Sequence, residues 1–240
     1  MRKILSLVLT FILFVPAVFA EESSFESLVL DIIKKNPQIV KEALEKYEKE
    51  AADKQKEQEF EKLLSDRAEV DIKNSPVLGK KNAEYTVIAF SDFQCPFCKR
   101  GDDTIKELRK KYGDKVKYVF KNFPLSFHPE AANASKAAIA AGKQEKFFEY
   151  HDKLFENQAK LGEELYTQIA KDLSLNLDKF NKDRASEEVD TQIKEDMKQA
   201  EAVGIQGTPG FILNGVKIYG AYPLDHFEKI ITRLETTAKK

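Results

Sequence analysis

Two cysteines, Cys95 and Cys98, follow a strand-like run and open a helix-like one, and this placement constrains the chain more than any other feature. Tyr85-Thr-Val-Ile-Ala-Phe90 is almost wholly apolar and rich in β-branched residues, as a strand covered on both faces should be. The spacing predicts a helix from about Cys95 to Tyr112, with Ile105, Leu108 and Tyr112 on one face and Gly113 as its stop. Val116, Tyr118 and Phe120 then alternate with Lys115, Lys117, Val119 and Lys121 in a further strand. Strand, helix and strand together predict an α/β domain. Cys95 would sit where the first backbone N–H groups and the positive end of the helix dipole favour an anion, so its thiol should be acidic and nucleophilic. It is expected to be the exposed thiol, and Cys98, one turn in, the buried resolving thiol. Pro96 is tolerated because first-turn N–H groups have no intrahelical acceptor.

A C-x-x-C pair alone could also be half a zinc site or a static bridge. The chain has only two cysteines and three histidines (His128, His151 and His226), so a Cys₄ site is excluded and a four-ligand zinc site is poorly supplied. A second motif, Gly207-Thr208-Pro209-Gly210, precedes another apolar strand. Its proline is a candidate for a cis peptide bond, although an ordinary trans turn is the commoner form.

The flanks carry other signals. Residues 1–20 have a basic start (Arg2, Lys3), an apolar run and Val18-Phe19-Ala20 before Glu21-Glu22, the layout of a cleaved signal peptide. Export would place the protein where disulfides persist. Residues 21–67 read as a helical arm. Ser23 and Glu26 suggest a capping box, Asn36-Pro37 separates two helices, and Glu42–Lys46, Glu45–Lys49 and Glu50–Lys54 suit i,i+4 pairing. Two short amphipathic helices cannot bury their apolar faces alone, so self-association is expected, as dimer or trimer. The alternative is packing on the same subunit. Residues 128–203 are helical by spacing, Asn214-Gly215 marks a type I′ hairpin, and a last helix carries Phe227, Ile230, Ile231 and Leu234. A formal charge of −1 argues against a dedicated nucleic-acid binder. His151 reads as a satisfied core histidine, His128 as a residue shaping the start of the helical region, and His226 as a surface or turn residue.

Ser91-Asp92-Phe93-Gln94-Cys95-Pro96-Phe97-Cys98-Lys99, with Gly204-Ile-Gln-Gly-Thr208-Pro209-Gly210-Phe211, resembles the DsbA-like thiol:disulfide interchange branch of the thioredoxin superfamily over about residues 70–238. The resemblance implies a thioredoxin fold with an inserted helical subdomain (about residues 125–203) in a domain spanning 68–240. It implies catalysis by Cys95 and Cys98, tuning by Pro96 and Phe97, and a substrate-binding loop at Thr208 and a cis Pro209. No cofactor is implied. Ile33-Lys-Lys-Asn36-Pro37-Gln-Ile-Val40 is similar to the arm of oligomeric members, the suppressor-of-copper-sensitivity protein C type and the dimeric DsbA-like proteins. Many relatives carry a Glu six residues before the first cysteine; Ala89 stands there, which leaves open how protons reach the buried thiol. The Pro96-Phe97 dipeptide lacks the His common in strong oxidases, a lean towards isomerase or shuffling activity.

The expected protein is thus a periplasmic thiol–disulfide oxidoreductase acting on cysteine-containing exported proteins. A membrane redox partner would recycle its dithiol. Two alternatives use the same groove: copper(I) binding by Cys95 and Cys98, whose soft thiolates suit that ion, and a chaperone module without redox turnover.

Overall fold

The structure is a computed structural model that describes residues 18–238, with side chains described for residues 24–237. The expected signal peptide therefore lies almost entirely outside the described residues. The chain divides into two compact units, residues 1–59 and 60–240.

The first unit is helical. Helix α1 (Val18–Lys35) and helix α2 (Pro37–Ser65, of which residues up to 59 belong here) meet at Asn36, and Pro37 opens the second helix as its fixed φ allows. Helix α1 begins at Val18, so Ser23 and Glu26 stand inside a helix and do not cap one. The unit's ion pairs include Asp31–Lys35 (2.6 Å), Lys41–Glu45 (3.7 Å) and Lys46–Glu50 (3.9 Å), a register different from the expected Glu-to-Lys pairs. All are exposed and contribute little. The apolar residues are exposed too: Phe25, Leu28, Ile32, Ile39, Leu44 and Tyr47 stay between 51% and 69% accessible.

The second unit starts at Phe60, ahead of the boundary expected at 67/68, because Phe60 and Leu64 are buried in its core. Arg67 fastens this end of α2. Its Nη1 donates to the Asn214 carbonyl at 2.8 Å, and the neighbouring Ala68 N–H donates to the Gly215 carbonyl at 2.8 Å.

A five-stranded sheet organises the unit. Its strands are β1 (Val77–Leu78), β2 (Tyr85–Ser91), β3 (Val116–Asn122), β4 (Gly210–Leu213) and β5 (Val216–Tyr219), in the spatial order β1-β3-β2-β4-β5. β2 and β3 are parallel, with Ala89 opposite Phe120, and helix α3 (Pro96–Tyr112) connects them. β4 runs antiparallel to β2 and to β5. The β4–β5 turn is Asn214-Gly215, both at positive φ (46° and 91°), the backbone a two-residue I′ turn requires. Between β3 and β4 the chain makes helices α4 (Ala131–Gly142), α5 (Phe147–Glu156), α6 (Glu163–Asp172), α7 (Leu177–Arg184) and α8 (Glu187–Ala202). Helix α9 (Leu224–Ala238) closes the domain.

The sheet is buried on both faces. Val87, Ala89, Tyr118, Phe120 and Phe211 pack into the large cluster that includes Ile105 and Leu108 of α3. Ile88, Phe90, Val119 and Ile212 face the other way, against Ala200 of α8 and Ile205. A domain that buries this much apolar surface holds its central strand rigidly, and the cysteines sit at the end of that strand.

Candidate active site

β2 ends at Ser91, and the next residues place the cysteines. Cys95 is the N-cap of α3 in an extended conformation (φ −75°, ψ 121°), and Pro96 occupies the first helical position. Both cysteines are reduced. Both are also buried, Cys95 at 4% and Cys98 at 1% accessible, so the expectation of a well-exposed Cys95 is corrected. The Thr208 carbonyl lies against its sulfur, and accessibility does not separate the two thiols.

Acidity separates them. A hydrogen bond from the Cys98 thiol, opposed by burial, lowers the Cys95 thiol from 9.0 to about 6, with further help from the backbone N–H groups of Cys98 and Phe97 and from Thr208. The helix start therefore acts through particular N–H groups, and the neighbouring thiol contributes most. Burial, reinforced by that same hydrogen bond, pushes Cys98 far above the ordinary thiol range. The pair is thus a ready thiolate beside a held proton.

The loop that faces the thiols carries Thr208 and Pro209, and the peptide bond between them is cis. Cys95 Sγ lies 3.6 Å from the Thr208 carbonyl oxygen. Thr208 is half-buried and Pro209 buried. The Pro209 carbonyl accepts the Gly220 N–H at 2.9 Å, which ties the loop to the end of β5. A Cβ at Gly101 would meet Phe211 Cζ at 2.8 Å and Pro209 Cγ at 3.3 Å, so glycine lets α3 press against this loop. Pro96 and Phe97 point outward, and Phe97 is 55% accessible with the Arg100 guanidinium 4.9 Å from its ring centre.

Several residues that position the motif were not singled out as site residues from the sequence. Asp92 is completely buried, and its N–H lies 3.3 Å from Cys98 Sγ. Its carboxylate accepts the N–H groups of Gln94 (2.7 Å) and Leu125 (2.9 Å) and meets His128 Nδ1 at 2.7 Å. Asp92 thus braces the loop between strand and helices, with its oxygens engaged, and His128 joins it at the start of the helical region. Gln158, after α5, donates to the carbonyls of Phe93 (2.7 Å) and Cys95 (2.9 Å). Gln94 accepts the Glu130 N–H at 2.7 Å. The closely spaced Asp92 and Cys95 gave a signal for the first of these. Gln158 gave none, because its target lies more than sixty residues away. His226 stacks on Tyr222 with ring centres 4.1 Å apart, away from this chemistry.

His151 lies in the core as expected but is not fully satisfied. It is buried, and its Nδ1 lies 3.0 Å from Asp152, but its Nε2 has no hydrogen-bond partner. The core histidine is therefore only half satisfied. Among the described residues, the one group of three or more side chains able to share a metal ion is Asp102, His151 and Asp152. No His, Asp or Glu joins the two thiols in such a group, and a copper(I) site there would rest on the two sulfurs alone.

Residues 71–233 match the Thioredoxin family model. The structure is similar to a thioredoxin-like oxidoreductase from Silicibacter pomeroyi (27% identity, TM-score 0.63, covering 68% of this chain and 94% of that one). It is also similar to Proteus mirabilis ScsC in a transitional conformation (26% identity, TM-score 0.59, 92% of this chain and 97% of that one). The thiol-disulfide exchange protein alpha-DsbA2 of Wolbachia pipientis shares the fold (23% identity, TM-score 0.62, 78% and 97%). Among curated proteins, the Na(+)/H(+) antiporter NhaA 1 of Salinispora arenicola is 34% identical over 164 residues, 68% of this chain but 25% of that protein. The chain spans about a quarter of the length of the curated relatives it matches. Among the described residues, no helix is long and apolar enough to cross a membrane.

Proposed function

We propose, from the premise that this chain belongs to the thioredoxin family and to its DsbA-like branch, that it is an exported thiol–disulfide oxidoreductase working through Cys95 and Cys98. The observation that carries the reading is the contrast between two adjacent sulfurs, one acidified to about 6 and the other held protonated by burial. The Cys95 thiolate attacks a substrate disulfide, displaces one substrate sulfur as a thiolate and forms a mixed disulfide. Cys98, or a second thiol of the substrate, then attacks Cys95 Sγ or the substrate sulfur and releases the adduct. The carbonyl of Thr208, beside Cys95, is placed to hold an extended substrate segment, and exposed Phe97 offers it apolar contact.

The direction we favour is isomerisation or shuffling. Isomerisation needs the reduced dithiol, and Pro96-Phe97 contains no histidine to stabilise the thiolate further. Self-association through the arm agrees with this, since the exposed apolar side chains of α1 and α2 find no cover within their own unit. Copies held together could share one misfolded substrate among several thiols. Export rests on the pattern of residues 1–20, and recycling by a membrane redox partner follows from a dithiol that must be reset after each oxidation or reduction.

The test is refolding of scrambled ribonuclease beside insulin reduction by the purified protein. Recovery of ribonuclease activity with the reduced form supports shuffling. Net oxidation of reduced ribonuclease without rescue of the scrambled form would reverse the direction. Full activity in Cys95→Ser would overturn the whole reading.

A further inference from the structure

A titratable cluster lies one helical turn behind the thiols, and the exchange steps above leave it unused. Asp102 follows Cys98 by four residues on α3, which puts both on one face of the helix, and they are 3% and 1% accessible. The Asp102 carboxylate has His151 Nε2 at 3.5 Å and Lys106 Nζ at 2.9 Å beside it. Neither approach has the angles of a good hydrogen bond, so Asp102 is held by Lys106 as an ion pair and His151 Nε2 has no hydrogen-bond partner. The His151 ring is caged by the rings of Phe93, Tyr118, Phe120, Phe147, Phe148 and Phe155, with centres 4.9–6.2 Å away. Its other nitrogen, Nδ1, meets Asp152, whose carboxylate also meets Lys106 at 3.0 Å. Asp152 and Lys106 are each 44% accessible. A cavity of about 290 Å³, lined in part by Asp102, Lys106, Tyr118, His151 and Asp152, runs along the cluster.

Buried polar atoms without hydrogen bonds are costly, and an apolar set of the same shape would be more stable. This set also has a direction: from a buried carboxylate beside Cys98, through an imidazole, to a half-exposed carboxylate. Lys106 already lies between the two carboxylates, so its ammonium fills the place a metal ion would take.

We infer that Asp102 and His151 form a proton relay for the Cys98 thiol, passing its proton towards Asp152 and solvent. The inference rests on the exchange chemistry proposed above. Residues four apart on a helix have Cβ atoms about 5–6 Å apart, a gap one water molecule bridges. In the resolving step the Cys98 proton passes to the Asp102 carboxylate. The Cys98 Sγ–Cys95 Sγ bond forms, the bond from Cys95 to the substrate sulfur breaks, and the substrate leaves as a thiolate with the electron pair. The enzyme dithiol is oxidised and the substrate disulfide reduced. In the opposite direction the displaced Cys98 thiolate takes its proton back from Asp102. The charged and titratable groups that face the relay are Lys106 and Arg109 of α3, Tyr118 of β3 and Asp152 of α5. Burial raises the Tyr118 hydroxyl well above its ordinary value, which keeps it neutral there. Burial works against ionisation of Asp152, but hydrogen bonds from His151 and Lys106 prevail and hold its carboxyl below the usual range, a negative end for the relay.

The experiment uses the full chain. Reduced protein is mixed with oxidised glutathione, and release of glutathione from the Cys95 adduct is followed by stopped flow from pH 5.5 to 9.5. Asp102→Asn should slow release by about a hundredfold near pH 6–7, the low end of general acid–base effects. The gap should narrow as pH rises, because hydroxide then competes with the carboxylate for the proton. His151→Gln should show the same pH-dependent slowing to a smaller degree, and Asp102→Glu should restore part of the rate. Alkylation of Cys95 against pH should not change in any of them. Release equal to wild type at every pH, or slowed by one constant factor as a structural defect would do, overturns the relay. Pairing Asp102→Asn with His151→Gln keeps the test decisive should one of them fold poorly. A wild-type protein whose Cys98 cannot release glutathione at all would instead overturn the exchange reading itself.

Discussion

The two units of this chain depart from ordinary burial in opposite ways. The arm leaves Phe25, Leu28, Ile32 and Tyr47 in solvent, whereas the catalytic unit buries Asp92, Asp102, His151 and a Lys121–Asp196 ion pair. Exposed apolar side chains forgo burial energy until a partner covers them. Buried charges cost energy unless partners or a task repay it. The arm thus has the composition expected of the proposed interface, and the second unit that of the proposed thiol site. The buried groups divide further. Asp92 is fully engaged and serves as a brace, and Asp196 accepts from the Asn122 N–H at 2.9 Å and pairs with Lys121 at 3.0 Å. Among the described residues near the thiols, Asp102, His151 and the Thr208 hydroxyl have buried polar atoms without a hydrogen bond of good geometry.

This contrast can be broken at several points. The largest effect should come from the thiols: Cys95→Ser should lower insulin reduction by at least about 10³-fold, in keeping with loss of a nucleophile. Cys98→Ala should instead trap substrates as mixed disulfides on Cys95, visible on non-reducing gels. In the arm, the double substitution Leu28→Glu, Ile32→Glu should dissociate the assembly by light scattering while Cys95 alkylation stays unchanged. A monomeric wild-type protein, or an unaffected assembly in the variant, would sink the interface assignment.

Asp92→Ala removes a buried carboxylate with three partners and should cost about 2–4 kcal/mol in urea unfolding. A surface-like cost below 0.5 kcal/mol (about the limit for featureless sites) would refute the brace. Gly101→Ala places a Cβ against Phe211 and Pro209 and should cost about 1–3 kcal/mol by overpacking. It should also shift the pH profile of Cys95 if the Pro209 loop moves.

The smallest effect to resolve is one of pH. Alkylation of Cys95 should rise through about pH 6 and level off well before 9, since its thiol is lowered in the folded protein. The sign of the linked stability follows. A lowered acid stabilises the reduced fold as pH rises from about 6 to the unfolded value of 9.0, and that contribution is gone below 6. Denaturation of reduced against oxidised protein across that range measures it. A midpoint near 9 for alkylation would mean that Cys95 is an ordinary thiol.

Much of the fold was legible because local periodicity and tertiary burial agree. The run at 85–90 is buried on both faces, the helix after Cys95 ends at Tyr112, and Asn214-Gly215 makes the turn its residues favour. Misreadings arose where the deciding contact is distant. The arm's ion pairs took another register because an exposed i,i+4 pair contributes only about 0.2–0.5 kcal/mol, too little to fix one. Phe60 and Leu64 fall within the expected helical arm, yet the core formed by distant segments claims them. Cys95 was expected to be exposed, because nothing near it in the chain reveals the loop that covers it.

By itself, the sequence determined the chemistry available: two thiols at a helix start, one proline loop, and an arm whose apolar residues have no local cover. Those properties follow from residue type and spacing within a few turns of chain, where steric and hydrogen-bonding rules act directly. Its place at the helix start already marked Cys95 as the acidic thiol; tertiary structure set the size of the contrast, through burial and through Thr208 brought from a separate segment. It also brought Asp102 of α3 to His151 of α5, a pairing of residues forty-nine positions apart that only packing could select.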